Sequence, residues 1–248
     1  MPPNAEVLLT YVTDAAAFAR ELLGWTPDAK QTEVLQSTAR RVILNCSRQW
    51  GKTTVAVTKV LHMLLMREGT TALIICENLG QTSEFFAKLD EFLEQLEIPI
   101  RGEKGKRLGR RLPNGSRVIG LAAREGAVRG YTADFVFLDE ASRIRDEVID
   151  ALGPVVAVRN GDWWMASTPQ GMRGRFWELW IYGEGADLLR VSVPWQENPR
   201  MSGAFIDKMR HDKGDAYVQQ EMECQFVENG VYLVSTEAVD ELVVPLKR

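Results

Sequence analysis

The sequence is poor in the side chains that cross-link a chain or hold a metal. Its 248 residues contain three cysteines, Cys46, Cys76 and Cys224, and two histidines, His62 and His211. Odd in number and scattered, they exclude a disulfide framework and a zinc site and fit a reduced, cytosolic setting. No apolar run approaches the roughly 20 residues that span a bilayer. The N-terminal MPPNAEVLLTYV lacks the basic-then-apolar order of a secretion signal. Positive charge is not in excess either: 30 Lys and Arg against 34 Asp and Glu leave a net charge of −4. Bulk charge therefore does not grip nucleic acid, although a local basic surface is still open. No Asn/Thr-Lys-x-Asp guanine-reading motif, internal repeat or low-complexity linker is present.

What is present is an alternation of buried strands and amphipathic helices. VILNC (42–46) and ALIIC (72–76) are short apolar runs without alternation, as buried strands are. Between them VAVTKVLHMLLMREG has helical spacing and stops at Gly69. Strand, helix and strand in this order predict a βαβ unit and a parallel sheet. QTSEFFAKLDEFLEQLEI (81–98) reads as an amphipathic helix closed by Pro99. Asn114-Gly115 within RLGRRLPNGSRVIGLAA (107–123) signals a hairpin. FVFLD (135–139) and WWMAS (163–167) supply further buried strands, with Trp163 and Trp164 as core rather than base-stacking residues. From about residue 172 the pattern reads as helical.

The chemistry is carried by CSRQWGKTT (46–54). Gly51, Lys52 and Thr53 follow a strand and open a helix, where backbone N–H groups and the helix end face an anion. Lys52 reaches β- and γ-phosphates in such loops, and the Thr53 hydroxyl ligates Mg²⁺. Cys46 stands where the common pattern has glycine, but the loop needs only backbone that approaches an anion, and Ser47 is small. Arg48 adds a planar, permanent charge that forks onto γ-phosphate oxygens. DFVFLDE (134–140) is the second element. A carboxylate at the carboxyl edge of a parallel sheet lies beside the phosphate loop, so Asp139 is placed for Mg²⁺ and Glu140 for taking a proton from an attacking water. Together the two elements predict hydrolysis of a nucleotide.

The form of the loop, a small residue, Arg, Gln, any residue and then Gly-Lys-Thr, resembles that of the large terminase subunits of tailed phages, the ATPases that pump DNA into capsids. WTPDAKQ (25–31), AVRGYTADFVFLDEAS (127–142), ASTPQG (166–171), SVPWQENP (192–199) and YVQQEMECQFVENG (217–230) extend the resemblance from about Trp25 to Gly230. It implies an α/β fold of the RecA-like, ASCE P-loop class, with a mainly parallel sheet flanked by helices and a small helical lid. Residues 1–175 would be the ATPase core with its adenine-binding segment, residues 176–248 the lid, and the family's nuclease domain absent. ATP would be held by Gln31, Ser47, Arg48, Gln49, Trp50, Gly51, Lys52, Thr53 and Thr54, with Gln31 reading the base and Mg²⁺ on Thr53 and Asp139. Glu140, Lys52, Arg48 and Arg129 would be catalytic, Arg129 as a finger onto a neighbouring subunit's nucleotide. Ser167 and Thr168 would couple hydrolysis to motion. The implied partners are double-stranded DNA, a portal protein, a small terminase subunit and further copies in a ring, commonly a pentamer, in the host cytoplasm.

The densest basic stretch, RGEKGKRLGRRLPNGSR (101–117), offers Arg107, Arg110, Arg111 and Arg117 as DNA-tracking candidates if they are not merely a solvated face or one that pairs with an acidic neighbour in a ring. No DNA cleavage is expected of this chain. A helicase-like translocase and a nucleotide-dependent assembly protein with little turnover stand as alternatives.

Overall fold

The computed structural model describes residues 10–124 and 126–228. Its centre is an eight-stranded sheet in the order β3-β4-β5-β2-β6-β7-β1-β8. The strands are β1 (Arg41–Cys46), β2 (Thr71–Cys76), β3 (Arg101–Gly102), β4 (Gly109–Arg111), β5 (Arg117–Ala122), β6 (Phe135–Asp139), β7 (Asp162–Ser167) and β8 (Leu188–Val193). From β5 to β8 every neighbouring pair is parallel, while β3, β4 and β5 pair antiparallel around the Asn114-Gly115 turn. Gly115 occupies the left-handed region there, at φ 83°, as such a turn requires. The sheet is mostly parallel and flanked by helices, as the order of strands and helices in the sequence led us to expect.

Both faces are covered, as a parallel sheet demands. Alternate residues of each strand feed two separate cores. Val42, Leu44, Ile74, Phe137 and Trp164 pack under α1 (Ala15–Glu21), α2 (Ala29–Gln36), α3 (Lys52–Met66) and α4 (Leu79–Gln95). Ile43, Leu73, Val136, Leu138 and Met165 pack under α5 (Asp146–Asp150), α6 (Leu152–Ala157) and α7 (Gly174–Tyr182). Trp164 is buried and Trp163 only partly so, as expected for neighbours on opposite faces. The three cysteines are free and buried. No helix among the described residues is long and apolar enough to cross a membrane.

The helix α3 carries the chain from β1 to β2, which run parallel in the one sheet with β7 and β6 between them. One expectation changes: the chain after residue 172 is not wholly helical, because β8 pairs with β1 from Arg41↔Leu188 to Cys46↔Val193. A division at residue 175 therefore falls before a strand of the central sheet. Only the helical pair α8 (Gly203–Lys213) and α9 (Asp215–Glu221) stands off it, around its own cluster of Ile206, Val218 and Met222. The stretch from residue 229 to 248, assigned to the lid from sequence, lies outside the described residues.

Candidate active site

The site forms where β1, β6 and β7 end side by side. Leu44, Ala166 and Asp139 are in register across the three strands, so the phosphate-loop candidate, the acidic pair and Ser167-Thr168 share one edge. After β1 the loop turns through Gln49 at φ 63° and Gly51 at φ 96°. Gly51 caps α3 without any side-chain hydrogen bond, which leaves the first N–H groups of the helix to an anion. A cavity of about 560 Å³ lies in front of it, lined by the loop with Gln81, Glu84, Glu140 and Arg143.

Lys52 Nζ donates to Glu140 Oε1 at 2.6 Å. Burial works against charge on Lys52, but the Glu140 and Asp139 carboxylates outweigh it and hold the ammonium above its ordinary value. Burial likewise works against ionisation of Glu140, and the Lys52 ammonium overrides it, so the carboxyl titrates below its ordinary value. Glu140 is itself held at φ 52° in the left-handed region, which costs a non-glycine residue energy and aims the side chain into the cavity. Asp139 behaves differently: burial dominates and pushes its carboxyl up to about 6. Its Oδ2 stands 3.5 Å from Thr53 Oγ1, an alcohol and a carboxylate oxygen of the kind Mg²⁺ takes.

Ser167 and Thr168 reach the same place. Ser167 Oγ lies 2.7 Å from Ser142 Oγ and donates to Glu140 Oε2 at 3.3 Å. Thr168 is buried, and its Oγ1 has no hydrogen-bond partner. Ser47 Oγ, buried at the head of the loop, is unpartnered as well.

The other residues singled out from the sequence have partners or places of their own. Arg48 does not face the cavity with its guanidinium free: Nε bonds Glu221 Oε2 at 2.6 Å, across to α9. Gln31 is buried, with Oε1 accepting from Asp28 N at 2.9 Å and Nε2 donating to Trp50 O at 2.9 Å. Its amide braces the loop rather than presenting a donor and acceptor to a base. The Trp50 indole is fully buried in the core, so that residue meets the loop through its carbonyl. Thr54 starts α3 beside Thr53, half-buried. Arg129 sits exposed in the turn before β6 and lines a different hollow, with Tyr131 and Pro154. Of the hairpin arginines, Arg110 forks onto Asp90 at 2.8 and 2.6 Å. Arg111 forks onto Glu103 at 2.9 and 3.0 Å, with Arg117 on the same carboxylate at 3.4 Å. Opposite charges within the fold thus pair with three of the four, and Arg107 is exposed with no such partner among the described residues.

Around the loop closes a clamp that reading the sequence did not assign. Ser47 N donates to Val193 O, Arg48 N to Glu221 O, and Asn198 Nδ2 to Arg48 O. Arg200 reaches Trp50 O and Asp28, and Asn45 Nδ2 donates to Cys224 O. These partners come from the end of β8, α9 and the segments around it, stretches that the family resemblance covers without giving Asn198 or Glu221 a role.

Residues 43–238 match the family described as terminase large subunit, T4likevirus-type, N-terminal. The large terminase subunit of Thermus virus P23-45 is 32% identical over 183 residues, which are 66% of this chain and 38% of that protein. The chain thus spans well under half the length of the curated relatives it matches. Among solved structures, the large terminase ATPase domain of Thermus phage P74-26 superposes with a TM-score of 0.75 at 27% identity, covering 84% of this chain and 96% of that one. The HK97 bacteriophage large terminase shares the fold, with a TM-score of 0.68 at 17% identity over 82% of this chain and 51% of that one.

Proposed function

Since the chain belongs to the family of T4likevirus-type terminase large subunits and carries their N-terminal region, we propose that it hydrolyses ATP to drive double-stranded DNA into a viral procapsid. The observation that carries this reading is the meeting of Lys52, Thr53, Asp139 and Glu140 at one sheet edge in front of an uncapped helix start.

The phosphates of ATP lie against the N–H groups of Gly51 to Thr54. The γ-phosphate draws Lys52 away from Glu140, because a phosphate oxygen offers the ammonium a second, more highly charged partner. Released from that pair, Glu140 is ionised and able to accept a proton from water at its Oε1, while Ser167 orients the other carboxylate oxygen. Thr53 and Asp139 would hold Mg²⁺, which would supply positive charge to offset that of the phosphates. Without the ion, burial favours the neutral form of Asp139, a strain that a cation relieves. Loss of the γ-phosphate is felt at Ser167 and Thr168, and through Arg48 at Glu221 of the helical pair, whose rotation moves DNA. Arg107 and its exposed neighbours in the hairpin track DNA phosphates. The working assembly is a ring of copies on a capsid portal with a small terminase subunit, each copy's Arg129 acting on the next copy's nucleotide.

The test is Mg²⁺-dependent ATP turnover by wild type and Glu140→Gln. The variant keeps nucleotide binding and loses turnover by roughly 10²- to 10⁴-fold, the usual worth of a general base. Equal and measurable turnover in the two proteins would take the base role away from Glu140; negligible turnover in both would leave a nucleotide-dependent assembly protein.

A further inference from the structure

Besides Lys52 and Arg48, one more cation among the described residues lines the phosphate-loop cavity, and none of the roles above uses it: Arg143. Its backbone is tightly placed. It ends the short 3₁₀ turn Ala141–Arg143 that follows Glu140 directly, with Arg143 N bonded to Glu140 O at 2.9 Å. Ser142 ties that turn to the end of β7 through Ser167 Oγ, and the next residue, Ile144, is buried in the core. The guanidinium, by contrast, is loosely held. Its Nε is 3.9 Å from Glu140 Oε2 and its Nη2 is 3.6 Å from Glu221 Oε1, both beyond hydrogen-bond distance.

The contrast with the other two cations is chemical. Lys52 and Arg48 each make a 2.6 Å contact with a carboxylate, which an incoming anion must replace. Arg143 has only long-range attraction to give up, and five N–H donors still to satisfy. Two carboxylates draw it to the cavity without saturating it. A triphosphate adds strong negative charge in front of Glu140, and the planar fork of an arginine matches phosphate oxygens in a way a lysine does not.

We propose that Arg143 is a second arginine of the nucleotide site, contributed by the same chain and hydrogen-bonding the terminal phosphate of bound ATP. This rests on reading the cavity as an ATP site. It makes a nucleotide-binding contribution that Arg129, away from this cavity, does not supply within one chain.

The experiment compares the affinities of wild type, Arg143→Ala and Arg143→Lys for ADP and for ATPγS, with single-turnover ATP hydrolysis alongside. A contact to the terminal phosphate makes Arg143→Ala weaker for ATPγS by roughly 10- to 100-fold, the worth of a charge-assisted hydrogen bond, with ADP affinity within about twofold of wild type. Arg143→Lys recovers part of the loss, because it keeps charge without the fork. Arg143→Gln replaces the alanine variant if that one does not fold. If Arg143 serves only to brace Glu221, both nucleotides weaken equally or neither changes, and the proposal is overturned. If wild type binds neither nucleotide, the ATP reading fails first and takes the proposal with it.

Discussion

His62 links stability to pH through a single buried ring. Its Nε2 lies 2.8 Å from Tyr11 O, and the ring packs edge-on to Phe18 at 5.5 Å. Burial lowers its affinity for a proton, the cations of Lys59 and Arg67 lower it further, and the Tyr11 carbonyl and Asp14 offset only part of this. The folded pKa therefore lies below the ordinary 6.5, and between the two values the unfolded chain binds more protons than the folded one. Stability is complete above that window and is lost as pH falls through it. Thermal melts from neutral pH down to about pH 5 should show a larger drop for wild type than for His62→Gln; parallel curves would refute the assignment. At this scale the sequence was legible where chemistry is local. Gly51-Lys52-Thr53 and Asp139-Glu140 announce themselves because each motif carries its own strand or helix end. Glu221 and Arg143 did not, because the reason to single them out is a partner supplied by another element. Gln31 was singled out through the family resemblance as a base reader, and its bonds to Asp28 N and Trp50 O, which hold the loop, come from partners that the resemblance did not name.

Among elements, β5 and α4 approach closely because Gly120 lacks a side chain. A Cβ there would lie 2.5 Å from Thr82 Cγ2 and 2.7 Å from Phe86 Cε2. Gly120→Ala should cost about 1–3 kcal/mol by overpacking, read as a lower denaturant midpoint with an unchanged slope; a midpoint equal to wild type would mean the helix shifts without cost. The apolar runs of β1, β2, β6 and β7 were readable because each is buried on both faces. β8 was missed for a physical reason. LLRVSV is an edge strand, with Arg190 and an exposed Ser192 breaking the apolar run, and charge on an edge is how sheets avoid unwanted pairing. The hairpin was predicted correctly, and its arginines stood as DNA-tracking candidates because Asp90, the partner of Arg110, lies on α4, while Glu103 within the same stretch takes both Arg111 and Arg117.

Across the whole molecule, the edge strands β3 and β8 stand seven strand spacings apart, roughly 34 Å, with the basic hairpin toward the β3 edge. Arg129 stands in the loop that leads into β6, where Tyr131 accepts a hydrogen bond from Lys106 of the hairpin loop. If Arg129 works on a neighbour, turnover per subunit rises with protein concentration. Mixing Arg129→Ala with Lys52→Ala should then exceed the sum of the two variants alone, since one supplies a site and the other an arginine. A flat rate and no complementation would assign the charge to the same chain and demote Arg129. The order of elements along the chain gave the fold class; which surfaces meet other molecules depends on pairing that the order does not encode.

The clamp on the phosphate loop also has a bearing on synthesis. Arg48 and its carboxylate partner Glu221 are 173 residues apart in the chain. At about 5–20 residues per second, the loop leaves the ribosome roughly 9–35 s before the glutamate that fastens it. During that interval the nascent chain has the GKT signature but not the tied geometry, so nucleotide capture comes late in maturation, after the segment through Cys224 has been made and docked.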